Sequence, residues 1–376
     1  FDYHKIDQNL LKLDILGHDV PSMIRHLQDM TGVDPLKVQL KDEKVNSIFL
    51  NCDALDIRDP DYRFVHGSFG IPEFGTKFTR QMLDDTQPSR FGDLVRISGF
   101  SHGTDVWINN AQEFIKNGDT TIKDAISTRD DIMNYLILKG LPNKEAFNIM
   151  EKVRKGKGVT EERVQLMKDN KGKSWPDGIV EEMKEHGVPD WYIESCQRIK
   201  YMFPRAHAVA YVMMSYRIAW FKVYYPVPFY AAYFTTKVAD FNSEVVLKGS
   251  GAILARIDEI LAKGKNATKK EEDEMTVLEV AYEMYSRGYE FEPINFGVSD
   301  GTKFYEHEGR VLLPFMAVSG IGETAAKALA DECRIRPFET IEELKSRTRI
   351  SNSNIESLKA MGVLEGMPET DQLSMF

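Results

Sequence analysis

Two periods run through the hydrophobic and polar positions of this chain, and the helical one dominates. Leu11-Lys12-Leu13-Asp14-Ile15 alternates apolar and polar residues, which predicts a half-buried strand. Leu11, Leu13 and Ile15 fill one face, and Lys12 and Asp14 share the other. Gly17 lets the chain turn, and Pro21 suits a first helical turn, so a helix is predicted over 22–30 with Ile24 and Leu27 on one face. Further helices are predicted over 45–51, 73–85, Arg129–Leu138, 144–153, 191–202 and Arg205–Tyr224, the last being the longest. Pro226 and Pro228 end that segment. Helices over 249–263 and 270–287 precede short apolar runs at 291–296 and 310–313. With turns at Asp300-Gly301 and Glu308-Gly309, these runs suggest a small sheet. A last helix is predicted over 325–332. The fold class is mainly α with small β elements.

Length and charge narrow this picture. At 376 residues the chain suggests two or three domains, and no apolar run reaches the length of a membrane span. It opens inside what reads as structured sequence, so a segment of a longer protein is expected, without a secretory leader. Cys52, Cys196 and Cys333 form no CxxC pair and offer no zinc spacing, which fits reduced thiols in a cytoplasmic protein. The net charge of −10 excludes a uniformly basic nucleic-acid binder. Residues 120–225 nevertheless hold 18 Lys and Arg against 14 Asp and Glu, leaving 30 against 44 elsewhere. A mildly basic middle fits phosphate contact over a limited surface, and chance fluctuation fits it as well. Residues 159–186 are highly charged and read as a peripheral helical excursion.

Several stretches carry candidate chemistry, each with a plainer alternative. A carboxylate at a strand end beside a lysine, as in Asp14 and Lys12, suits a metal–phosphate site; a solvated pair is the commoner meaning. Residues 97–105 contain Ser98, Gly99, Ser101, His102, Gly103 and Thr104, small residues that let a backbone approach an anion. The phosphate-loop spacing is absent there, and a helix–helix turn is the alternative. Arg129 stands at a helix start, where the dipole suits Asp130 and Asp131 but not a cation, which hints at a ligand. Lys152, Arg154, Lys155 and Lys157 cluster at a helix end; they complement its dipole or clamp phosphates. His207, Tyr211 and Met214 share a helical face flanked by Arg217 and Lys222, reading either as core or as a base-stacking surface with cations at its sides. Lys77 and Arg80 also share a face.

Near the end, Val318-Ser319-Gly320-Ile321-Gly322-Glu323-Thr324-Ala325 sets glycines before a helix that also carries Lys327. Such hairpins let backbone N–H groups meet a DNA phosphate without reading sequence. A Gly-rich turn between helices is the alternative, and a weaker second unit at 354–362 lacks the first glycine. Gln372-Leu373-Ser374-Met375-Phe376 could insert into an apolar groove, or fray.

These stretches together carry a resemblance. Phe1-Asp2 with Lys12-Leu13-Asp14-Ile15-Leu16-Gly17, then Gly70-Ile71-Pro72-Glu73-Phe74-Gly75-Thr76, Ile97-Ser98-Gly99-Phe100-Ser101-His102-Gly103-Thr104-Asp105-Val106-Trp107, Arg129-Asp130-Asp131-Ile132-Met133, Phe203-Pro204-Arg205-Ala206-His207-Ala208-Val209-Ala210-Tyr211 and the final five residues resemble bacterial replicative DNA polymerase III alpha subunits of the PolC type. The resemblance spans nearly the whole chain. It implies the end of a polymerase palm at 1–20 and helical fingers at 21–235. A duplex-binding domain with helix-hairpin-helix character follows at 236–366, then a clamp-binding tail at 367–376.

By that resemblance Asp14 is a catalytic aspartate and a ligand of one of two Mg²⁺ ions, whose other carboxylates lie outside this chain. Lys12, Ser98, His102, Arg129, Lys152, Arg154, Lys155, Arg205, His207, Tyr211 and Arg217 become nucleotide-binding candidates. Lys77, Arg80, Gly320, Gly322, Thr324 and Lys327 become DNA-binding candidates, and Gln372, Leu373, Met375 and Phe376 clamp-binding ones. The implied partners are primer-template DNA, a dNTP, the beta sliding clamp and the N-terminal remainder of the polymerase, in the cytoplasm and without a membrane. The implied reaction is template-directed nucleotidyl transfer to a primer 3′-OH. A non-catalytic module tethering duplex DNA to the clamp is the rival reading. A small-molecule phosphotransferase is disfavoured by the missing phosphate loop.

Overall fold

The computed structural model describes residues 17–156, 179–348 and 350–370, together with residues 5, 9 and 10. The strand expected at 11–15, most of the charged stretch 159–186 and the terminal peptide 372–376 lie outside the described residues. The described residues are mainly helical with one small sheet, as the hydrophobic pattern requires. No helix among them is long and apolar enough to cross a membrane.

One interior helix is the hub. Pro226–Thr236 carries Pro in its first turn, where a missing N–H removes no helical bond. The proline pair thus ends the long helix Arg205–Tyr224 and also starts the next one. Val227 through Phe234 are all buried, as befits a helix with no polar face. Three short strands, β1 (Phe291–Glu292), β2 (Tyr305–His307) and β3 (Arg310–Leu312), form a sheet of order β1-β3-β2. β1 runs parallel to β3 and β2 antiparallel. Glu308 and Gly309 both take positive φ (49° and 77°), so the β2–β3 hairpin closes through a mirror-type turn that matches strand twist. The hub helix packs on β2 and β3, on the first helix Asp19–Thr31 and on the long helix. Phe234 meets Phe241, Phe291 and Phe304 with ring centroids 5.0 to 5.9 Å apart, which joins helix to sheet.

Several boundaries differ from expectation, each for a local reason. The loop expected over 97–105 is helical as far as His102, within Phe91–His102. Its small residues serve packing: a Cβ at Gly99 would sit 2.7 Å from the Ser127 carbonyl oxygen. The helix expected from residue 73 begins at Lys77, because Thr76 caps it through its hydroxyl and Glu73 holds φ at +70°. The helix expected over 191–202 stops at Arg198. The chain then runs extended so that Tyr201 bridges Thr104, with Thr104 N–H donating to Tyr201 O at 2.9 Å. Arg129–Leu138 and Arg205–Tyr224 have the predicted bounds.

A buried ion pair ties the distant parts together. Lys222 and Glu283 are both fully buried, with 2.7 Å between Nζ and Oε1. Nζ also donates to the carbonyls of Gly67 (2.7 Å) and Phe69 (2.5 Å), and Tyr230 Oη donates to Glu283 at 2.8 Å. Arg287 closes the knot by donating to the carbonyls of Leu55 and Lys222. Burial pushes the Lys222 ammonium down to about 8, and Glu283 counteracts part of that. Removing one partner leaves a buried, unpaired charge, which typically costs about 3–5 kcal/mol. Lys222→Met is therefore expected to lower unfolding stability by about that amount in urea denaturation. Adding Glu283→Leu should recover part of the loss; a second variant that only adds its own destabilisation would show that the pair is not the coupling element.

Candidate functional site

The wall of the site begins where the described chain does. A cavity of about 420 Å³ is lined by Gly17, His18 and Asp19 from the start of the first helix, by Glu73 and Thr76, and by Lys237 beyond the hub helix. Asp14 precedes Gly17 by three residues and lies outside the described residues, as does Lys12. The loop that contributes Glu73 is folded by its own backbone: Gly75 N–H donates to Ile71 O at 2.8 Å and Ile71 N–H to Ser68 O at 3.1 Å. Glu73 takes a positive φ, uncommon without glycine, and its side chain is only 10% exposed.

Beside the cavity stands a ladder of rings. His207 and Tyr211 lie one helical turn apart on the long helix, with centroids 4.4 Å apart and planes tilted by 33°. Phe203 stacks on the other side of His207 at 4.9 Å, and His18 meets Tyr211 edge-on at 5.3 Å. His102 approaches from the helix Phe91–His102, its ring 5.5 Å from Phe203 and 6.1 Å from His207. His102 Nε2 lies 3.0 Å from Glu73 Oε2, while Nδ1 meets the Ser98 carbonyl at 2.8 Å. The Glu73 carboxylate raises the His102 pKa above the ordinary histidine value. Burial, then the neighbouring His102 charge, lowers that of His207. Ser98 itself is buried inside its helix; its carbonyl meets His102, and its hydroxyl has no partner among the described residues.

A second knot fixes the segment that delivers Phe203 and His207. Asp131 caps its own helix, accepting from the Ser127 and Thr128 hydroxyls and backbone N–H groups. The same carboxylate pairs with Arg205, and with Arg96 at 3.7 Å. Burial alone would raise its pKa; Arg96, Ser127 and Arg205 outweigh burial and hold it below the usual carboxylate value. Asp130 accepts from the Arg205 backbone N–H at 2.6 Å, and Arg129 N–H donates to Phe203 O at 3.2 Å. Arg205, expected as a phosphate ligand, therefore already has a carboxylate.

The remaining cations divide by whether an acid has claimed them. Arg154 and Lys155 both bind Glu151, whose carboxyl they hold at about 2. Gly156, at φ +61°, brings this helix end against Lys200, where a Cβ would fall 2.4 Å from the carbonyl oxygen. Lys152 and Arg129 make no ion pair among the described residues and are half-buried. Arg217 has its Nε buried with no acceptor among the described residues. Arg80 is internal: it donates to Gly75 O and Glu279 and lies 4.0 Å over the Phe69 ring, so only Lys77 of that predicted pair faces outward.

In the last third, Gly320 (φ +82°) turns the chain, and Gly322 caps the helix Glu323–Ile335. Gly320, Gly322, Thr324 and Lys327 are exposed, and Lys327 pairs with Glu323 at 2.5 Å. The second unit, Asn352–Ala360, packs on this hairpin through Asn354, whose amide donates to Ser319 O at 3.2 Å. Gln372, Leu373, Met375 and Phe376 lie outside the described residues. Glu73, Phe203 and His18 are the site residues that sequence reading assigned no role, and Asp131 was read only as suiting the dipole of its own helix. A glutamate between Pro72 and Phe74 carries no signal that its φ is positive, and nothing in the chain marks its distance to His102.

Residues 20–173 match the family model described as the bacterial DNA polymerase III alpha subunit finger domain, and residues 288–372 match a helix-hairpin-helix motif. The chain is 54% identical over 376 residues to the DNA polymerase III PolC-type of Caldanaerobacter subterraneus subsp. tengcongensis. It is 53% identical to that of Clostridium perfringens and 47% identical to that of Bacillus subtilis. Each match covers 100% of this chain but only 25 or 26% of the relative, so the chain spans about a quarter of the length of the curated relatives it matches. With both its finger region and its hairpin region matched, and with the whole chain aligned to about a quarter of each of these relatives, the chain belongs to the PolC-type bacterial DNA polymerase III alpha-subunit family.

Proposed function

We propose that the chain supplies the end of the palm (1–20), the fingers (21–235), a duplex-binding domain (236–366) and a clamp-binding tail (367–376) of a replicative DNA polymerase. The carrying observation is the ring ladder Phe203–His207–Tyr211–His18 standing at a cavity whose rim is three residues from Asp14. Rings of this kind give a base a surface to stack on, whatever its identity. The half-buried Arg129 and Lys152, and Arg217, none of them in an ion pair among the described residues, are the cations with most freedom to meet a triphosphate, since Arg154, Lys155 and Arg205 already hold acids. The exposed glycine hairpin offers backbone N–H groups to a duplex phosphate.

Among the described residues no group of three or more His, Cys, Asp or Glu is arranged to hold a metal ion. The described part of the chain therefore does not fit a metal centre by itself. In this reading Asp14 contributes one carboxylate to Mg²⁺ ions held mainly from outside the chain, and those ions would stabilise the oxygens that attack and leave. What the described residues do is hold the base, orient the triphosphate and grip the duplex. The parent would work in the cytoplasm with a dNTP, primer-template DNA, the beta sliding clamp and its own N-terminal remainder.

In the full-length parent, Asp14→Asn is expected to lower primer extension roughly a thousandfold while primer-template affinity is kept, because a metal ligand contributes several kcal/mol to the transition state. Normal extension by this variant would favour the rival reading of a non-catalytic DNA tether. The isolated 376-residue chain should extend no primer above a no-enzyme control. Deleting residues 372–376 of the parent should weaken clamp binding and processivity and leave distributive synthesis largely intact. Clamp affinity unchanged by that deletion would remove the tail from the proposal.

A further inference from the structure

His102 sits at the last turn of its helix, and both its ring nitrogens face acceptors. Nδ1 lies 2.8 Å from Ser98 O, which can only accept, and 3.2 Å from the Ser101 hydroxyl, so the carbonyl favours an N–H at Nδ1. Nε2, 3.0 Å from the Glu73 carboxylate, is favoured as N–H on the same ground. A neutral ring would turn a lone pair toward one of these oxygens, and a cation also suits the negative end of a helix. These surroundings favour the imidazolium form, and the Glu73 carboxylate raises the His102 pKa in the same sense. With its ring nitrogens turned toward Ser98 and Glu73, His102 is placed to hold the Glu73 loop, and its expected contact with nucleotide would run beside that pairing.

Glu73 is the unexplained half of this pair. It combines a left-handed backbone with a nearly buried carboxylate. Its Oε2 lies at ion-pair distance from the histidine yet receives no well-aligned hydrogen bond. Two unfavourable features at one residue persist only where the surroundings over-determine them, and such residues gather at functional sites. The pair also joins two parts of the site: Glu73 lines the cavity that opens at Gly17, and the His102 ring abuts both Phe203 and His207. Among the described residues, the titratable groups facing His102 are Glu73 from the loop and His207 from the long helix; His207 in turn faces His102, Glu73 and the Tyr211 ring.

We propose that Glu73 is a positioning residue of the nucleotide site, which by pairing with protonated His102 ties the cavity wall to the Phe203–His207–Tyr211 ladder, so that affinity for the incoming nucleotide follows the protonation of His102. This rests on the polymerase reading above. The sign follows from the pairing. The tie is complete below the raised His102 pKa and is lost as pH rises through it, when the ring becomes neutral and the Glu73 carboxylate is left buried and unpaired.

The test is the dNTP KM and kcat of the full-length parent between about pH 6 and pH 9, for wild type, Glu73→Gln and His102→Gln. Wild-type KM should be flat at low pH and rise about tenfold as His102 deprotonates, the scale of one lost charge-assisted contact. In Glu73→Gln that rise should begin at lower pH, so that the gap to wild type opens as pH rises and is widest, up to about tenfold, where only the wild-type His102 is still protonated. His102→Gln should show the high KM throughout, without the step. In each case kcat should move less than KM. A gap that does not vary with pH, or no gap, overturns the proposal. Should Glu73→Gln lose primer-template affinity and so report misfolding, His102→Gln decides alone, and a pH step retained in that variant overturns it. The polymerase reading fails separately, through normal extension by Asp14→Asn.

Discussion

The knot of Lys222, Glu283, Tyr230 and Arg287 is the constraint on which the rest of this structure depends. It lies wholly inside, and its members come from the long helix, the hub helix and the helix Lys269–Ser286 with its end. Its hydrogen bonds reach the carbonyls of Leu55, Gly67 and Phe69. Those carbonyls belong to the end of a single 3-10 turn, Asp53–Leu55, and to irregular chain, neither of which has a ladder to satisfy them once buried. An apolar core could supply the burial but not the donors. Two buried cations against one carboxylate leave an excess of positive charge, which the carbonyl oxygens and the Tyr230 hydroxyl take up. The irregular segment that leads to Glu73 is thereby held in place from beneath.

Much of the fold was legible in the chain because helices announce themselves by period. Arg129–Leu138 and Arg205–Tyr224 have their predicted bounds, since each pairs a regular apolar pattern with a clear terminus, Thr128 for one and Pro204 for the other. Period failed where composition imitated a loop. Ser98, Gly99 and Ser101 look like an anion cradle, yet they are small because helix Phe91–His102 runs close to Ser127. Small residues mean close approach in either case, and the chain does not say what is approached. Glu73 was hidden for the opposite reason: its left-handed φ is imposed by the loop around it and not by its own preference.

The candidate site was legible by residue type and illegible by state. His207 and Tyr211 follow from helical spacing, and the structure places their rings in contact. The cations were harder. Arg205, Arg154, Lys155 and Arg80 all suit a phosphate on paper, but Asp131, Glu151 and Glu279 hold them. Glu151 is close in sequence to its two cations, whereas Asp131 lies 74 residues from Arg205 and Glu279 lies 199 from Arg80. Pairing across such distances is a product of the fold and is invisible to spacing. Lys152, Arg129 and Arg217 remain unpaired among the described residues, which makes them stronger candidates than the composition of their cluster did.

The long helix connects the buried knot to the ring ladder. Lys222 follows His207 by 15 residues, which at 1.5 Å per residue separates them by about 22 Å along one rigid rod. One end is pinned through Lys222 to the helix Lys269–Ser286. The other is pinned through Arg205 to Asp131, and through the Phe203 carbonyl to the Arg129 N–H. A rod fixed at both ends cannot rotate its aromatic face freely, so the rings of His207 and Tyr211 stand ordered beside the cavity, which the ladder reaches through His18. Pre-organisation of that kind lowers the entropy lost on binding. It also locates the compliance of the site, which lies less in the helix than in the loop at Glu73 and the ion pair that joins it to His102.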